Sequence, residues 1–432
     1  MGKKLKIAII APPWLKLYPG CFYGIENVVQ NLSAQLTKMG HHVELFTVKG
    51  STTKVDKIHW YHEKEQYPHL LRPYNEMLSI WIAHLLYSIN IIREAGDFDV
   101  IHDHSSFVGP AVFAYATGLP PVLHTLHEPF TDEGKLKAGV PDNRLMFEQF
   151  KNIKNLYFSA VSETQKSMAP DELLPRIKVI HNGINPDEYP FSDKKEDFFL
   201  MVASVSALKG QATAAKLCSE LGIKLKMAGT IGGKISTAED MRRHMADRAS
   251  PMHDDRNFSY FRDEVAPYLK EGQIEYIGEI SGQVKENLFK KAKAFIFPID
   301  WEEPFGIAII EALASGTPVL AYKRGAMVEI IQHGRNGFLA DTYKDLKEYA
   351  QKIDEIDPAF CQLSVEEKFS AEVMTEKFVD LYRDIIKRYW RVRARRFVNQ
   401  RMNPRLPVAQ NYKGIPNLLP GPEHRRYIHR NT

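Results

Sequence analysis

Cysteine is scarce in this chain: three in 432 residues, at Cys21, Cys218 and Cys361. They are far apart and form neither a CxxC pair nor a zinc spacing. That excludes a disulfide frame and points to a reducing compartment. Long hydrophobic runs are missing too. The N-terminal Lys3-Lys4-Leu5-Lys6-Ile7-Ala8-Ile9-Ile10 has too short an apolar run for a signal peptide, and Pro12-Pro13 breaks it. It reads as a buried first strand. Met77 to Ile92 carries Ser79, His84, Ser88 and Asn90. It falls short of the ~20 apolar residues of a membrane span and reads as an amphipathic or buried helix. Internal repeats are absent apart from a duplicated α/β architecture.

What is present is ordinary in amount and uneven in distribution. Hydrophobic residues make up 44% and charged residues 25%, as in a soluble globular protein. The length exceeds a single ordinary core and predicts two domains. Formal net charge is +4, yet residues 383–432 hold thirteen Lys/Arg against Asp384 and Glu423, a local net of +11. The body is therefore mildly acidic and the tail strongly basic.

Short apolar runs alternate with helical patterns. Strands are predicted at Lys6–Ala11, His42–Val48, Asp99–His102, Pro121–Thr125, Leu156–Val161 and Lys178–Ile180. A helix is predicted over Glu26–Lys38, where Val28, Val29, Leu32 and Leu36 recur at helical spacing and Gly40 stops it. Asn185–Asp197, with two prolines and many charges, reads as a linker. A second series follows: strands at Phe198–Val205, Leu225–Ala228, Gln273–Ile277, Ala294–Pro298 and Pro318–Ala321, and helices at Gln211–Leu221 and Phe305–Ala314. This is an α/β chain of two Rossmann-like doubly wound domains facing a cleft. Residues 230–262 are polar and read mostly as a surface insertion. Residues from Pro404 onward read as an extended tail.

The most informative segment is Glu303-Pro304-Phe305-Gly306-Ile307-Ala308-Ile309-Ile310-Glu311-Ala312. Gly306 lets a ligand approach the backbone closely. The free amides and positive dipole end of the helix that follows suit a diphosphate. Glu303 lies just before the helix and Glu311 about two turns into it, so the carboxylates can sit at opposite ends of one bound molecule and accept hydroxyl hydrogens. Glu-x7-Glu alone is weak, since two surface glutamates flanking a buried helix would look the same. The Pro-Phe-Gly start and the continuation into Gly316-Thr317-Pro318-Val319 make it strong.

Residues 303–319 resemble the E-P-F-G-x-x-x-x-E-A-x-A-x-G-x-P-V donor-site signature of family 4 of the retaining glycosyltransferases, which have the GT-B fold. Gly325-Ala326-Met327-Val328-Glu329-Ile330-Ile331 with Asn336-Gly337-Phe338-Leu339, and His181-Asn182-Gly183-Ile184, are similar to further motifs of that family. Phe369–Tyr382 is similar to its closing helix. The resemblance covers roughly residues 5–387. It implies transfer of a sugar from a UDP-, GDP- or ADP-sugar to a glycan, lipid or small-molecule acceptor, with retention of anomeric configuration. The nucleotide-sugar is a substrate, and no cofactor or metal is implied. No Asp-x-Asp pair is placed to grip a metal–diphosphate, and His102-Asp103-His104 lacks an evident third ligand.

By this resemblance Glu311 binds the nucleotide ribose, while Glu303 and the amides of Gly306 and Ile307, next to Phe305, hold the transferred sugar. Lys209 aligns with the family's phosphate-binding lysine. His127, in Thr125-Leu126-His127, faces the sugar from the opposite domain, with His124 as a neighbour that could be mistaken for it. Gly24, in Tyr23-Gly24-Ile25-Glu26, belongs to the turn between first strand and first helix. Two positions depart from the pattern. Ser204 stands where the family usually has an arginine, with Lys323, Arg324 and Arg335 as candidate replacements, and Tyr23 replaces the first glycine of the turn. Gly278-Glu279-Ile280 is placed beside the base.

The expected organisation is an acceptor-side domain over 1–185, a linker over 186–197 and a donor-binding domain over 198–365. A helix over 366–390 then packs back toward the first domain, and a basic extended tail covers 391–432. A cytoplasmic enzyme is expected. The tail is either a solvated extension or a dock for anionic lipid or a partner protein, and no readable nucleic-acid motif accompanies it. Rival readings are a catalytically weakened nucleotide-sugar-binding protein or partner subunit, suggested by Ser204 and Tyr23, and a GT-B phosphorylase or epimerase, against which the Glu303–Glu311 segment argues.

Overall fold

The computed structural model describes residues 3–21, 24–69, 74–130 and 143–402. Tyr23 and the tail beyond Met402 lie outside them. The chain divides into a body, Met1–Ile386, and a second unit beginning at Lys387.

The body holds two parallel sheets. The first contains β1 (Lys6–Ile10), β2 (His42–Thr47), β3 (Lys57–Trp60), β4 (Val100–Asp103), β5 (Val122–Leu126), β6 (Leu156–Ala160) and β7 (Ile177–Val179), in the order β3-β2-β1-β4-β5-β6-β7. The second contains β8 (Glu196–Val202), β9 (Leu225–Ala228), β10 (Ile274–Gly278), β11 (Ala292–Phe297), β12 (Val319–Tyr322) and β13 (Gly337–Ala340), in the order β10-β9-β8-β11-β12-β13. Strand β1, at the centre of the first sheet, is a nearly continuous apolar run because both its faces are covered. Ile7, Ala8, Ile9 and Ile10 are all fully buried. Strand order reverses between β1 and β4 and again between β8 and β11. Crevices for ligands open at the carboxyl ends of strands at such switch points.

The helix Gly24–Lys38 buries Val28, Val29, Leu32 and Leu36 against β1 and β2. The helix Ala371–Met402 starts after the second domain, yet its Met374, Phe378, Val379, Tyr382 and Ile385 join this same first-domain core. The chain is threaded to that end by Ile184, whose amide donates to the Phe369 carbonyl (3.0 Å) and whose carbonyl accepts from the Ala371 amide (2.7 Å). Glu329 ties the domains together as well. Its carboxylate accepts from the amides of Glu163 and Thr164 (both 2.9 Å), capping the helix Glu163–Ser167, and pairs with His181 at 2.9 Å. Burial opposes its ionisation, but the His181 bond and the amides outweigh that, and its carboxyl lies below the usual range.

Three expectations change. The edge strands β3 and β13 carry too little periodic signal to stand out in the sequence. Residues 230–262 are more than a surface insertion, since Met241, Met252, Phe258 and Phe261 enter the second core. The linker is fastened to the second domain, where Lys195 Nζ donates to the carbonyls of Lys290 and Ser315 (3.0 Å each) and to Thr317 Oγ1 (2.9 Å). The basic segment expected to be extended from 391 is helical as far as Met402. It is arginine-rich and has no proline or glycine before Pro404, so nothing in it breaks a helix. Among the described residues, no helix is long and apolar enough to cross a membrane.

Candidate active site

A cavity of about 490 Å³ opens where the two switch points face each other. All nine residues singled out from the sequence line it: Gly24, His127, Ser204, Lys209, Glu303, Phe305, Gly306, Ile307 and Glu311. They come from four separate stretches of chain. Tyr67, Lys285, Glu279 and Ile280 are also in the wall.

The floor is the helix Ile307–Ala314, held by Ile309, Ile310 and Leu313, each fully buried. Burying side chains of this size stabilises by about 1.5–3 kcal/mol apiece, which fixes the helix start against the sheet. Gly306 is the N-cap, with φ +85°. A Cβ there would lie 2.8 Å from Ile309 Cδ1 in a left-handed conformation that side chains disfavour. The loop before it leans on a second glycine, since a Cβ on Gly325 (φ +53°) would sit 2.4 Å from the Glu303 backbone. The Ala326 amide donates to the Glu303 carbonyl at 2.9 Å. The Gly325–Ile331 motif therefore braces the Glu303 loop from behind while its Glu329 reaches the other domain.

Four charged groups on this wall form two pairs. Lys209 Nζ donates to Glu303 Oε2 at 2.5 Å, and lies 4.8 Å from the centre of the Trp301 ring. Lys285 Nζ donates to Glu311 Oε1 at 2.8 Å, and Tyr189 Oη donates to the same oxygen at 2.9 Å. Glu311 is 2% exposed and Lys285 8%. Burial, and then the Glu311 charge, push the Tyr189 hydroxyl well above its ordinary range, so it remains a donor. None of Lys323, Arg324 and Arg335 lines the cavity, and the Arg335 guanidinium stacks 4.0 Å from the Phe360 ring centre. Lys285 is the second lysine there. Sequence reading missed it because a lysine on the helix Gly282–Lys291 looks like any solvated charge. Tyr189 was missed because it lies in the linker.

The facing wall is uncharged by comparison. His127 follows β5 directly. Burial, and then the nearby His124, lower its pKa to about 3, so it is a neutral imidazole. His124 is turned away, with its Nδ1 2.6 Å from Asp103 Oδ2 inside the sheet. That separates the two histidines. His102 is also committed, at 2.6 Å from both Tyr382 Oη and Thr125 Oγ1. Among the described residues, no group of three or more His, Cys, Asp or Glu could hold a metal ion.

Two facing Rossmann-like domains with a phosphate-ready helix start in the cleft define the GT-B class of protein. A glycosyltransferase family 4 model matches residues 22–188, and a glycosyl transferases group 1 model matches residues 187–356. The chain belongs to this glycosyltransferase family. An uncharacterized glycosyltransferase of Methanocaldococcus jannaschii is 24% identical over 348 residues, covering 77% of this chain and 84% of its own. Two solved structures share the fold. Sucrose-phosphate synthase from Thermosynechococcus elongatus has a TM-score of 0.65 and 19% identity, over 89% of this chain and 100% of that one. Anabaena HepE, in complex with UDP-glucose, has a TM-score of 0.60 and 16% identity, over 88% and 100%.

Proposed function

We propose that this chain transfers a hexose from a nucleoside-diphosphate sugar to an acceptor hydroxyl with retention of configuration. The reading rests on one observation. The amino end of the Ile307–Ala314 helix opens into the interdomain cavity between Lys209 and Glu303, with Glu311 further along the same helix.

The diphosphate lies against the Gly306 and Ile307 amides, where the helix end favours negative charge. Lys209 leaves Glu303 for the phosphate, and Glu303 is thereby freed to accept from the sugar hydroxyls. As the bond to the anomeric carbon breaks, charge builds on the leaving phosphate, and the lysine and the amides stabilise it. The acceptor attacks from the face the phosphate leaves, and the departing phosphate oxygen takes its proton. The protein's part is positioning and charge stabilisation, with closure of the cleft excluding water. Glu311, held by Lys285 and Tyr189, accepts from the ribose. No cofactor is required.

The test incubates the chain with UDP-, GDP- and ADP-sugars and a broad acceptor pool, and measures released nucleoside diphosphate. UDP-glucose is the first donor to try, given the Anabaena neighbour. Turnover with one donor, lost in Lys209→Ala, supports the reading, and turnover unchanged in both Lys209→Ala and Glu311→Ala would remove the site assignment. One observation favours a second reading, a nucleotide-sugar-binding protein with weak or no catalysis. Ser204 replaces an arginine, and both lysines in the cavity already carry a glutamate partner. Donor binding without turnover would select it.

A further inference from the structure

Behind His127 lies a second histidine that the cavity does not touch. His104 is fully buried, just past the end of β4. Its Nδ1 is 2.9 Å from His127 Nε2, and the two rings are stacked at 28° with centres 5.2 Å apart. Its other nitrogen, Nε2, is buried with no hydrogen-bond partner among the described residues. His102, next but one, has both ring nitrogens satisfied, and His124 is occupied by Asp103. The orphan nitrogen therefore belongs to the one histidine whose single bond goes to the cavity histidine.

Two neutral imidazoles joined nitrogen to nitrogen share one hydrogen, so their tautomers are coupled. If His127 donates through Nε2–H, His104 must keep its own hydrogen on Nε2, as a buried N–H with no acceptor. If His104 donates through Nδ1–H, its Nε2 carries only a lone pair. Orphaned buried N–H groups are the rarer and more costly outcome. The second arrangement is therefore preferred. It puts the remaining hydrogen of His127 on Nδ1, the ring nitrogen not held by His104.

We propose that His104 is a positioning residue that locks His127 in its Nδ1–H tautomer, so that the cavity is offered a fixed, uncharged hydrogen-bond donor. That donor suits an oxygen acceptor, either a sugar hydroxyl or the oxygen on which charge develops. The identity of that acceptor rests on the functional reading above, whereas the tautomer does not. Burial and neighbouring histidines keep both rings neutral, with His104 held well below its ordinary pKa, so the lock persists across the neutral range.

The test is long-range 1H–15N correlation on the full chain labelled with 15N-histidine at pH 7.5, the His127 signals being assigned by their loss in His127→Asn. The expected result is a protonated Nδ1 and a bare Nε2 on His127. In His104→Phe, which keeps the ring but cannot donate, His127 should shift toward the Nε2–H form. The turnover number should fall about tenfold, what losing one well-placed hydrogen bond in the transition state costs, with the donor KM changed less than about twofold. His104→Asn, whose amide nitrogen falls near the position of Nδ1, should restore the Nδ1–H form and most of the turnover. A wild-type His127 protonated on Nε2, or an unchanged tautomer in His104→Phe, overturns the proposal. An Nδ1–H tautomer in a chain that transfers no sugar would support it and count against the functional reading alone.

Discussion

The two walls of the cavity follow opposite electrostatic plans. The second domain brings two pairs of full charges, Lys209 with Glu303 and Lys285 with Glu311. The first domain brings His127, a neutral ring kept so by burial. On the proposed reading the contrast is functional. Charge is stored where a diphosphate departs, and paired until the donor arrives. Neutral, fixed hydrogen bonding is supplied where the sugar must be oriented without competing for that charge.

The contrast can be broken most severely at Glu311. Glu311→Ala leaves Lys285 buried and unpaired and Tyr189 without its acceptor, which should cost about 3–5 kcal/mol of stability in a denaturant titration and weaken nucleotide binding. Adding Lys285→Met should return much of the stability but not the binding. Equal recovery of both would show that Glu311 does not touch the ribose. Lys209→Ala comes next. Losing a positioned charge on the leaving group should lower turnover by about 10²–10³-fold, against a loss of donor affinity smaller than tenfold by calorimetry. A larger loss in binding than in turnover would assign the lysine to ground-state binding.

Glu329 probes whether the walls are held in register. Its folded pKa is below the unfolded 4.5, so its stabilisation is complete above about pH 4.5 and is lost as pH falls through the folded value. Glu329→Gln should therefore be less stable than wild type at neutral pH by about 1.5–3 kcal/mol, the worth of hydrogen bonds to a charged group. The gap should close on acidification below pH 4.5, as followed by thermal melts across pH; a gap independent of pH would contradict a charged latch. The smallest effect is expected at Ser204. Ser204→Arg supplies an unpaired cation to the same cavity and should tighten donor binding severalfold, more so at low salt. No change would place the diphosphate elsewhere.

Legibility in the sequence differed between the walls for a physical reason. The Glu303–Ala312 segment is local: loop, glycine cap, helix and both carboxylates lie within ten residues, so one stretch of chain displays the whole chemical arrangement. The bonds that complete it are not local. Tyr189 and Lys285 reach Glu311 from 122 and 26 residues away, and His104 reaches His127 across 23. Neither a linker tyrosine nor a lysine on an otherwise polar helix differs by type from its solvated neighbours. Lys323, Arg324 and Arg335 lie outside the cavity, and its second lysine is Lys285, on the helix Gly282–Lys291.

The amino-acid sequence alone determined the alternation of strands and helices, and hence two doubly wound sheets with a cleft at their carboxyl ends, because periodicity, glycine stops and helix-start chemistry act within a few residues. Tertiary structure decided which charges neutralise which, which of two neighbouring histidines faces the cavity, and that the closing helix returns to the first core. Those outcomes depend on burial and on distances between elements far apart in the chain, and desolvation acts only once those elements have met.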